Sequence, residues 1–198
     1  MQRTLFVYGS FAEGHVHFRK LVPYLANYRT ATVSGTLYRL PSGLLVLAND
    51  GTQTISGQLV TLAQAEVLFA LLDEFHGVHH ADPDQGLCKR VELGAVLEDG
   101  SSETTSAYVI NAFRIPRGAA IVEGGDWARS LTESPPLFAR LTDRQKTYIQ
   151  KLGATAGREI VPIDLTLYRE LMHLGVVIDK GRRLALTPLG QEIYRLLT

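Results

Sequence analysis

The chain has 198 residues, carries 20 Lys and Arg against 20 Asp and Glu, and is 45% hydrophobic. It therefore suits one large globular domain or two smaller ones, and disordered, collagen-like and fibrous classes are excluded. The single cysteine, Cys88, excludes a disulfide framework and a multi-cysteine zinc site. The sequence shows neither a signal peptide nor an apolar run of 18 residues, so we expect a cytoplasmic protein that does not enter a membrane.

The first 136 residues are predicted to form a mixed, strand-rich α+β domain. Residues 5–8 are a short apolar run that ends at Gly9-Ser10, which is typical of a buried strand. Further strands are predicted at 33–40, 44–48, 54–60, 87–97 and 106–110, with a turn at 49–52. Thr61 and Gln64 have the spacing of a capping box. They predict a helix from about residue 62 to residue 75 that buries Val67, Leu68, Leu71 and Leu72.

Seven short motifs of this part follow one another in a familiar order. They are Tyr8-Gly9-Ser10, Gly35-Thr36-Leu37-Tyr38, Ser56-Gly57-Gln58-Leu59, Leu72-Asp73-Glu74-Phe75-His76-Gly77, Lys89-Arg90-Val91, Ala107-Tyr108-Val109 and Gly125-Asp126-Trp127. Together they resemble the γ-glutamylcyclotransferase-like family, also called AIG2-like, over about residues 4–127. The resemblance implies a small mixed β-barrel with a cavity at one end. It also implies that the loop after the first strand offers backbone N–H groups to the substrate.

The resemblance further implies a reaction and a substrate class. In this family the α-amino group of a γ-glutamyl amine attacks its own γ-carbonyl, which releases 5-oxoproline and the amine without a cofactor. From the first loop and the second motif, we expect substrate contacts from Tyr8, Gly9, Ser10, Phe11 and Tyr38. The expected ligand is a small molecule that bears an amine or a carboxylate.

One position departs from the family pattern. The catalytic glutamate of the family lies in a stretch like Leu-Asp-x-Tyr-Glu-Gly, and the aligned residue here is His76. Imidazole can exchange a proton near neutral pH. Three roles for His76 stay open: acid and base of a modified transferase or lyase, a polar group in a cavity that binds its ligand without turnover, or a structural histidine at the helix end. Glu74, two positions earlier, is expected to face away from His76.

The remaining histidines and the cysteine are expected to have no chemical role. His15, His17, His79 and His80 lack the spacing of a zinc site. We therefore predict solvated loop histidines and no metal. Cys88 is predicted to be a small core residue rather than a nucleophile.

A second unit is predicted from about residue 137 onward. Residues 1–136 hold 10 basic and 14 acidic residues, a balance of −4, whereas residues 137–198 hold 10 and 6, a balance of +4. The change falls at Ser134-Pro135-Pro136, where proline stiffens the chain. The sequence therefore predicts two domains, 1–136 and 137–198.

The second unit shows a helix, helix, hairpin, helix pattern. Thr142 with Gln145, Asp164, and Thr187 before Pro188 are predicted to begin its helices. The order resembles a winged-helix domain. Lys180, Arg182 and Arg183 would then lie in the wing, where they favour nucleic acid, but a balance of +4 is modest. Nucleic-acid binding, docking of a protein partner and homodimerisation therefore remain alternatives.

Overall fold

The structure is a computed structural model, and it describes residues 3–155 and 158–198. The chain divides into two compact units. The first contains residues 1–40 and 44–133, and the second contains residues 41–43 and 134–198. Within the described ranges, no helix is both long enough and apolar enough to cross a membrane.

The first unit is built on a closed barrel of five strands. They are β1 (Arg3–Val7), β2 (Leu25–Arg39), β3 (Leu45–Leu62), β4 (Cys88–Leu97) and β5 (Ser102–Ile110). Around the ring, β1 pairs with β3, β3 with β2, β2 with β4, and β4 with β5, all antiparallel. A parallel contact between β5 and β1 closes the ring, and the short strand β6 (Ala120–Ile121) extends the sheet beside β2. The predicted α+β barrel is therefore confirmed.

Two of the predicted strands are parts of one long strand. Residues 44–48 and 54–60 both fall on β3, and the predicted turn between them is a bulge. Gly35 lies opposite Gln53, whereas the next residue of β2, Thr36, lies opposite Ala48. The four residues 49–52 are therefore accommodated inside the ladder, which lets β3 bend around the barrel.

Three helices complete the first unit: α1 (Phe18–Leu21), α2 (Ala65–Phe75) and α3 (Trp127–Glu133). The predicted start of α2 was wrong, because Thr61 belongs to β3 and Gln64 precedes the helix without a side-chain cap. The predicted buried face was also wrong in part. Leu68 and Leu72 are buried, but Val67 and Leu71 are about half exposed. Phe69 and Asp73 take the buried positions instead.

Strand β1 is buried on both faces, which explains its continuous apolar run. Phe6 points into the barrel, where it joins Leu37, Leu47, Ile55 and Leu59. The alternate residues of β1 point outward into a second cluster beneath α2, which includes Leu5, Val7, Leu68, Leu72 and Tyr108. The end of β1 is therefore fixed between the barrel interior and the helix that carries His76.

In its described residues, the second unit contains four helices and a two-stranded hairpin. In chain order these are α4 (Leu137–Arg140), α5 (Asp143–Ala154), α6 (Leu165–His173), β7 (Val177–Asp179), β8 (Leu184–Leu186) and α7 (Pro188–Leu197). Its own core includes Ile149, Leu171, Val176 and Ile193. The identification of this arrangement as a winged helix stays a prediction.

The predicted helix starts of the second unit are confirmed. Thr142 and Gln145 form a reciprocal capping box before α5. The Asp164 carboxylate accepts hydrogen bonds from the N–H groups of Thr166 and Leu167 in the first turn of α6. The Thr187 hydroxyl accepts one from Gly190 at the start of α7. Caps of this kind follow from local backbone chemistry, which is why the sequence suffices to locate them.

Candidate functional site

A narrow cavity opens beside the end of β1 and the C-terminus of α2. It is tight, because the space in it that the centre of a water molecule could occupy is about 30 Å³. Most of its lining is apolar, and its polar side chains are those of Tyr8, Ser10, His76 and Tyr108. The full lining consists of Leu5, Phe6, Val7, Tyr8, Ser10, Phe11, Leu44, Leu45, Leu72, His76 and Tyr108. An apolar cavity with a few convergent polar groups is the usual form of a small-molecule site.

His76 is the residue that immediately follows α2, and its half-buried imidazole is held among aromatic rings. The ring stacks on Tyr108, with 4.2 Å between the centroids and 15° between the planes. It also contacts Phe75 edge-on at 5.2 Å and Phe11 at 5.5 Å. Such contacts fix the plane of the imidazole at the cavity wall.

The stacking partner of His76 is itself anchored by a buried charge. The Tyr108 hydroxyl donates a hydrogen bond of 2.7 Å to Asp73 Oδ1, and Arg90 Nη1 lies 3.3 Å from Asp73 Oδ2. Arg90 in turn lies over the ring of Phe69, 4.2 Å from its centroid. Burial first, and then Asp73, raises the pKa of Tyr108 far above its ordinary range. Tyr108 is therefore a neutral phenol at physiological pH.

Tyr8 is the second phenol of the cavity, and it also stays neutral. Its hydroxyl oxygen accepts a hydrogen bond of 2.7 Å from the Leu47 N–H. Burial is the main cause that raises the pKa of Tyr8 far above its ordinary range, and the nearby Cys88 adds to it. Tyr8 can therefore orient a ligand but cannot act as a base near pH 7.

The loop after β1 turns sharply at Gly9, whose φ of +57° is a conformation that other residues rarely adopt. The N–H groups of Phe11 and Ala12 already donate to the carbonyls of Tyr8 and Gly9, at 3.2 and 3.1 Å. Within the turn of residues 9–11, the N–H groups of Gly9 and Ser10 are the ones not engaged in these two bonds.

His17 is buried, which contradicts the prediction of a solvated loop histidine. It is only 2% exposed, and its Nδ1 lies 3.0 Å from Ser10 Oγ, in the cavity lining. His15, His79 and His80 are exposed, as predicted. No pattern in the sequence predicts the Ser10–His17 pair, because a spacing of seven residues in a loop has no regular geometry.

The structure brings together most, but not all, of the predicted site residues. Tyr8, Ser10, Phe11 and His76 line the cavity, whereas Gly9 is not one of its lining residues. Tyr38 lies elsewhere, packed against a cluster that includes Leu40, Val46 and Cys88. Glu74 is exposed on the outer side of α2, and Cys88 is a buried core residue, as predicted.

Tyr108 lines the cavity with a polar side chain, but it was not among the site residues predicted from the sequence. It belongs to the motif Ala107-Tyr108-Val109, so the signal was present in the sequence. That motif contributed only to the family resemblance, and the barrel geometry is what brings the Tyr108 ring against His76.

Two other predicted features concern metal ions and nucleic acid. Across residues 3–155 and 158–198, no group of three or more His, Cys, Asp and Glu side chains is placed to hold a metal ion. Lys180, Arg182 and Arg183 are exposed around the turn between β7 and β8. Nucleic-acid binding by this hairpin stays a prediction.

The first unit is a small α+β barrel with a narrow cavity at the end of β1, and sequence comparison assigns it to a family. Residues 5–129, more than half of the chain, match the family described as gamma-glutamyl cyclotransferase, AIG2-like. The chain therefore belongs to this family. Among curated proteins, none is similar enough in sequence to count as a relative.

Several solved structures are similar to this chain at low sequence identity. YkqA from Bacillus subtilis is 17% identical with a TM-score of 0.49, and the match covers 67% of this chain and 42% of YkqA. The uncharacterized protein PH0828 from Pyrococcus horikoshii is 14% identical with a TM-score of 0.45, over 66% of this chain and 94% of that one. At5g39720.1 from Arabidopsis thaliana is 18% identical with a TM-score of 0.47, over 78% and 93%. The chain thus spans less than half the length of YkqA.

Proposed function

We propose that the first unit binds a small γ-glutamyl amine in its cavity and converts it to 5-oxoproline and the free amine, with His76 as acid and base. One observation carries this proposal. Of the side chains that line the cavity, the two phenols are held neutral, so the imidazole of His76 is the group suited to exchange a proton near pH 7.

The reaction needs a base first and an acid second. His76 removes a proton from the substrate α-ammonium group, and the free amine attacks the γ-carbonyl carbon. The bond between that carbon and the leaving nitrogen then breaks, and the imidazolium returns the proton to the departing amine. The negative charge on the carbonyl oxygen requires N–H donors. The backbone groups of Gly9 and Ser10 are the candidates for this role because those of Phe11 and Ala12 are already bonded.

A second candidate function is ligand binding without turnover, reported through the second unit. It is favoured by the lining itself, which within the described part of the chain contains no Asp or Glu where the family pattern has its glutamate. It is also favoured by the three aromatic contacts that hold the imidazole. In this case His76 supplies a hydrogen bond to the ligand and no proton transfer.

The deciding experiment is 5-oxoproline release from a panel of γ-glutamyl dipeptides and amines. We expect turnover by the wild type and a loss of about 100-fold or more in His76→Ala, the usual contribution of an acid–base residue. His79→Ala is the matched control, because His79 is an exposed histidine three residues along the chain.

Three other outcomes contradict this proposal. Activity that appears only in His76→Glu would mean that the pocket binds γ-glutamyl amines and lacks a catalyst, as the second candidate function requires. Wild-type turnover that survives in His76→Ala would exclude His76 as the acid and base. The wild type, His76→Ala and His76→Glu could also all fail to release 5-oxoproline while calorimetry shows that they bind the substrates. That result would support the second candidate function, ligand binding without turnover.

A further inference from the structure

We propose that Ser10 and His17 form a second reactive pair in this cavity, in which Ser10 Oγ accepts the acyl group of a small ester or activated amide and His17 is the base. This activity is distinct from the cyclisation proposed above, and it requires neither His76 nor a γ-glutamyl substrate. Nothing in the family resemblance points to it, because it follows from the placement of a histidine that the sequence suggested to be solvated.

The geometry is that of a nucleophile and its base. His17 Nδ1 and Ser10 Oγ are 3.0 Å apart, which is within the range of catalytic serine–histidine pairs. A second link fixes the pair, because the His17 backbone N–H donates to the Ser10 carbonyl at 2.8 Å. The two residues are thus tied through both backbone and side chain.

The surroundings hold the base still and leave the nucleophile accessible. The His17 ring, 2% exposed, lies 5.0 Å from the ring of Phe11 and 5.1 Å from that of Phe75. Ser10 by contrast is half-buried and lines the cavity. A ligand can therefore reach the hydroxyl while bulk water is kept from the imidazole.

The position of Ser10 in the backbone also suits acyl chemistry. It lies in a 3₁₀ turn, residues 9–11, directly after a buried strand, where the turn at Gly9 exposes the hydroxyl to the cavity. The candidate N–H donors of Gly9 and Ser10 belong to the same turn. An acyl carbonyl bound at Ser10 Oγ would have its oxygen beside these donors.

The step balances with the groups present. Ser10 Oγ attacks the carbonyl carbon of the ester or amide, and its proton passes to His17 Nδ1. The bond from that carbon to the leaving oxygen or nitrogen breaks, and the proton on His17 passes to the leaving group or, where the leaving group departs as the anion, to solvent. Water then attacks the ester carbon and its proton passes to the neutral His17. The bond from that carbon to Ser10 Oγ breaks as His17 returns the proton to Oγ, which releases the acid and restores the hydroxyl.

The probe is 4-nitrophenyl acetate, with acid quenching at short times, intact mass measurement and peptide mapping. We expect a rapid release of about one equivalent of nitrophenol and one acetyl group on Ser10, as accumulation of an acyl-enzyme predicts. The adduct should be removed by hydroxylamine, which cleaves an ester but not an acetylated lysine. Ser10→Ala should lose it, whereas Ser34→Ala, at an exposed serine of β2, should keep it.

The variants of His17 separate a base from a positioning residue. His17→Phe keeps an aromatic ring between Phe11 and Phe75 but has no nitrogen, and His17→Asn keeps a polar atom close to the place of Nδ1 but cannot take a proton. We expect both to lower the acetylation rate by about 100-fold or more, with melting curves to show that they are folded. Full-rate labelling in a folded His17→Asn would overturn the assignment of His17 as the base.

The test does not depend on the proposed function of the cavity. Acetylation of Ser10 without any 5-oxoproline release would contradict the cyclotransferase proposal and support the reactive pair. Release of 5-oxoproline by a protein whose Ser10 is never acetylated would support the cyclotransferase proposal and contradict the reactive pair.

Discussion

The hydroxyl of Tyr108 can be removed without changing the aromatic ring, so its contribution to the free energy of unfolding can be measured. It donates a buried hydrogen bond to Asp73, a residue that is 4% exposed. Tyr108→Phe keeps the ring that stacks on His76 but leaves the Asp73 carboxylate without this donor. We expect the free energy of unfolding to fall by about 1–3 kcal/mol, the usual cost of a buried acceptor that loses its partner.

Urea unfolding followed by fluorescence of Trp127, the single tryptophan, measures this loss in the first unit. Tyr168→Phe is the control, since it removes an exposed hydroxyl that donates to Asp179 at 3.3 Å in the second unit. It should leave the Trp127 transition unchanged. A Tyr108→Phe protein as stable as the wild type would show that the Asp73 contact contributes nothing to folding.

At the scale of single residues, the sequence predicted those parts of the site that belong to local motifs. The family resemblance placed His76 at the position of the catalytic glutamate and placed Tyr8 and Ser10 in the loop after the first strand, and all three line the cavity. The pairs of Ser10 with His17 and of His76 with Tyr108 were not found. Each depends on how the loop and strands of the barrel meet in space, and no sequence spacing encodes that.

At the scale of elements, the largest error concerned α2. Periodicity placed Val67, Leu68, Leu71 and Leu72 on its buried face, but the observed face is turned toward Phe69 and Asp73. The reason is that Asp73 is drawn inward by Tyr108 and Arg90. A pattern of apolar residues cannot anticipate a buried carboxylate, because its burial depends on partners that lie on other strands.

The substitution Gly190→Ala, in α7, tests whether close packing or helix propensity has the larger effect on the stability of the second unit. A Cβ added to Gly190 would lie 2.0 Å from the carbonyl oxygen of Val176. Gly→Ala in an ordinary helix stabilises by about 0.5–1 kcal/mol. Here we expect the opposite sign, because the carbonyl belongs to the backbone and cannot move without displacing it. Overpacking of this kind typically costs about 1–3 kcal/mol.

The measurement is urea unfolding monitored by circular dichroism of the helices. Gln191→Ala serves as the control, since Gln191 is the exposed next residue of the same helix, and its effect should stay within about 0.5 kcal/mol. If Gly190→Ala raised the stability, the close approach of α7 to Val176 would be disproved.

At the scale of the whole molecule, the order of seven short motifs predicted the barrel, although each motif alone is common. The closure of the ring by the parallel contact of β5 with β1 could not be read from them, because contacts between distant strands leave no local signal. The charge balance of −4 against +4 predicted a change of character near residue 136. It identifies no partner, because the charges on either side are few and mixed.

The two buried phenols make the stability of the first unit depend on alkaline pH. In the folded protein the pKa values of Tyr8 and Tyr108 are raised, whereas in the unfolded chain both ionise near pH 10. Above pH 10 the unfolded chain therefore binds fewer protons than the folded one, so the free energy of unfolding falls as pH rises. Below pH 10 both states hold these protons, and the two phenols make no contribution to the slope.

Urea unfolding followed at Trp127 between pH 8 and pH 11.5 measures this dependence. We expect a plateau up to about pH 10 and a steady loss above it. In Tyr108→Phe the loss should be shallower because one of the two groups no longer titrates. Tyr168→Phe changes a tyrosine of the second unit and leaves the first unit intact, so the slope of its Trp127 curve should match the wild type. A curve that stays level through pH 11.5 would mean that the buried phenols ionise in the folded barrel as readily as in the unfolded chain.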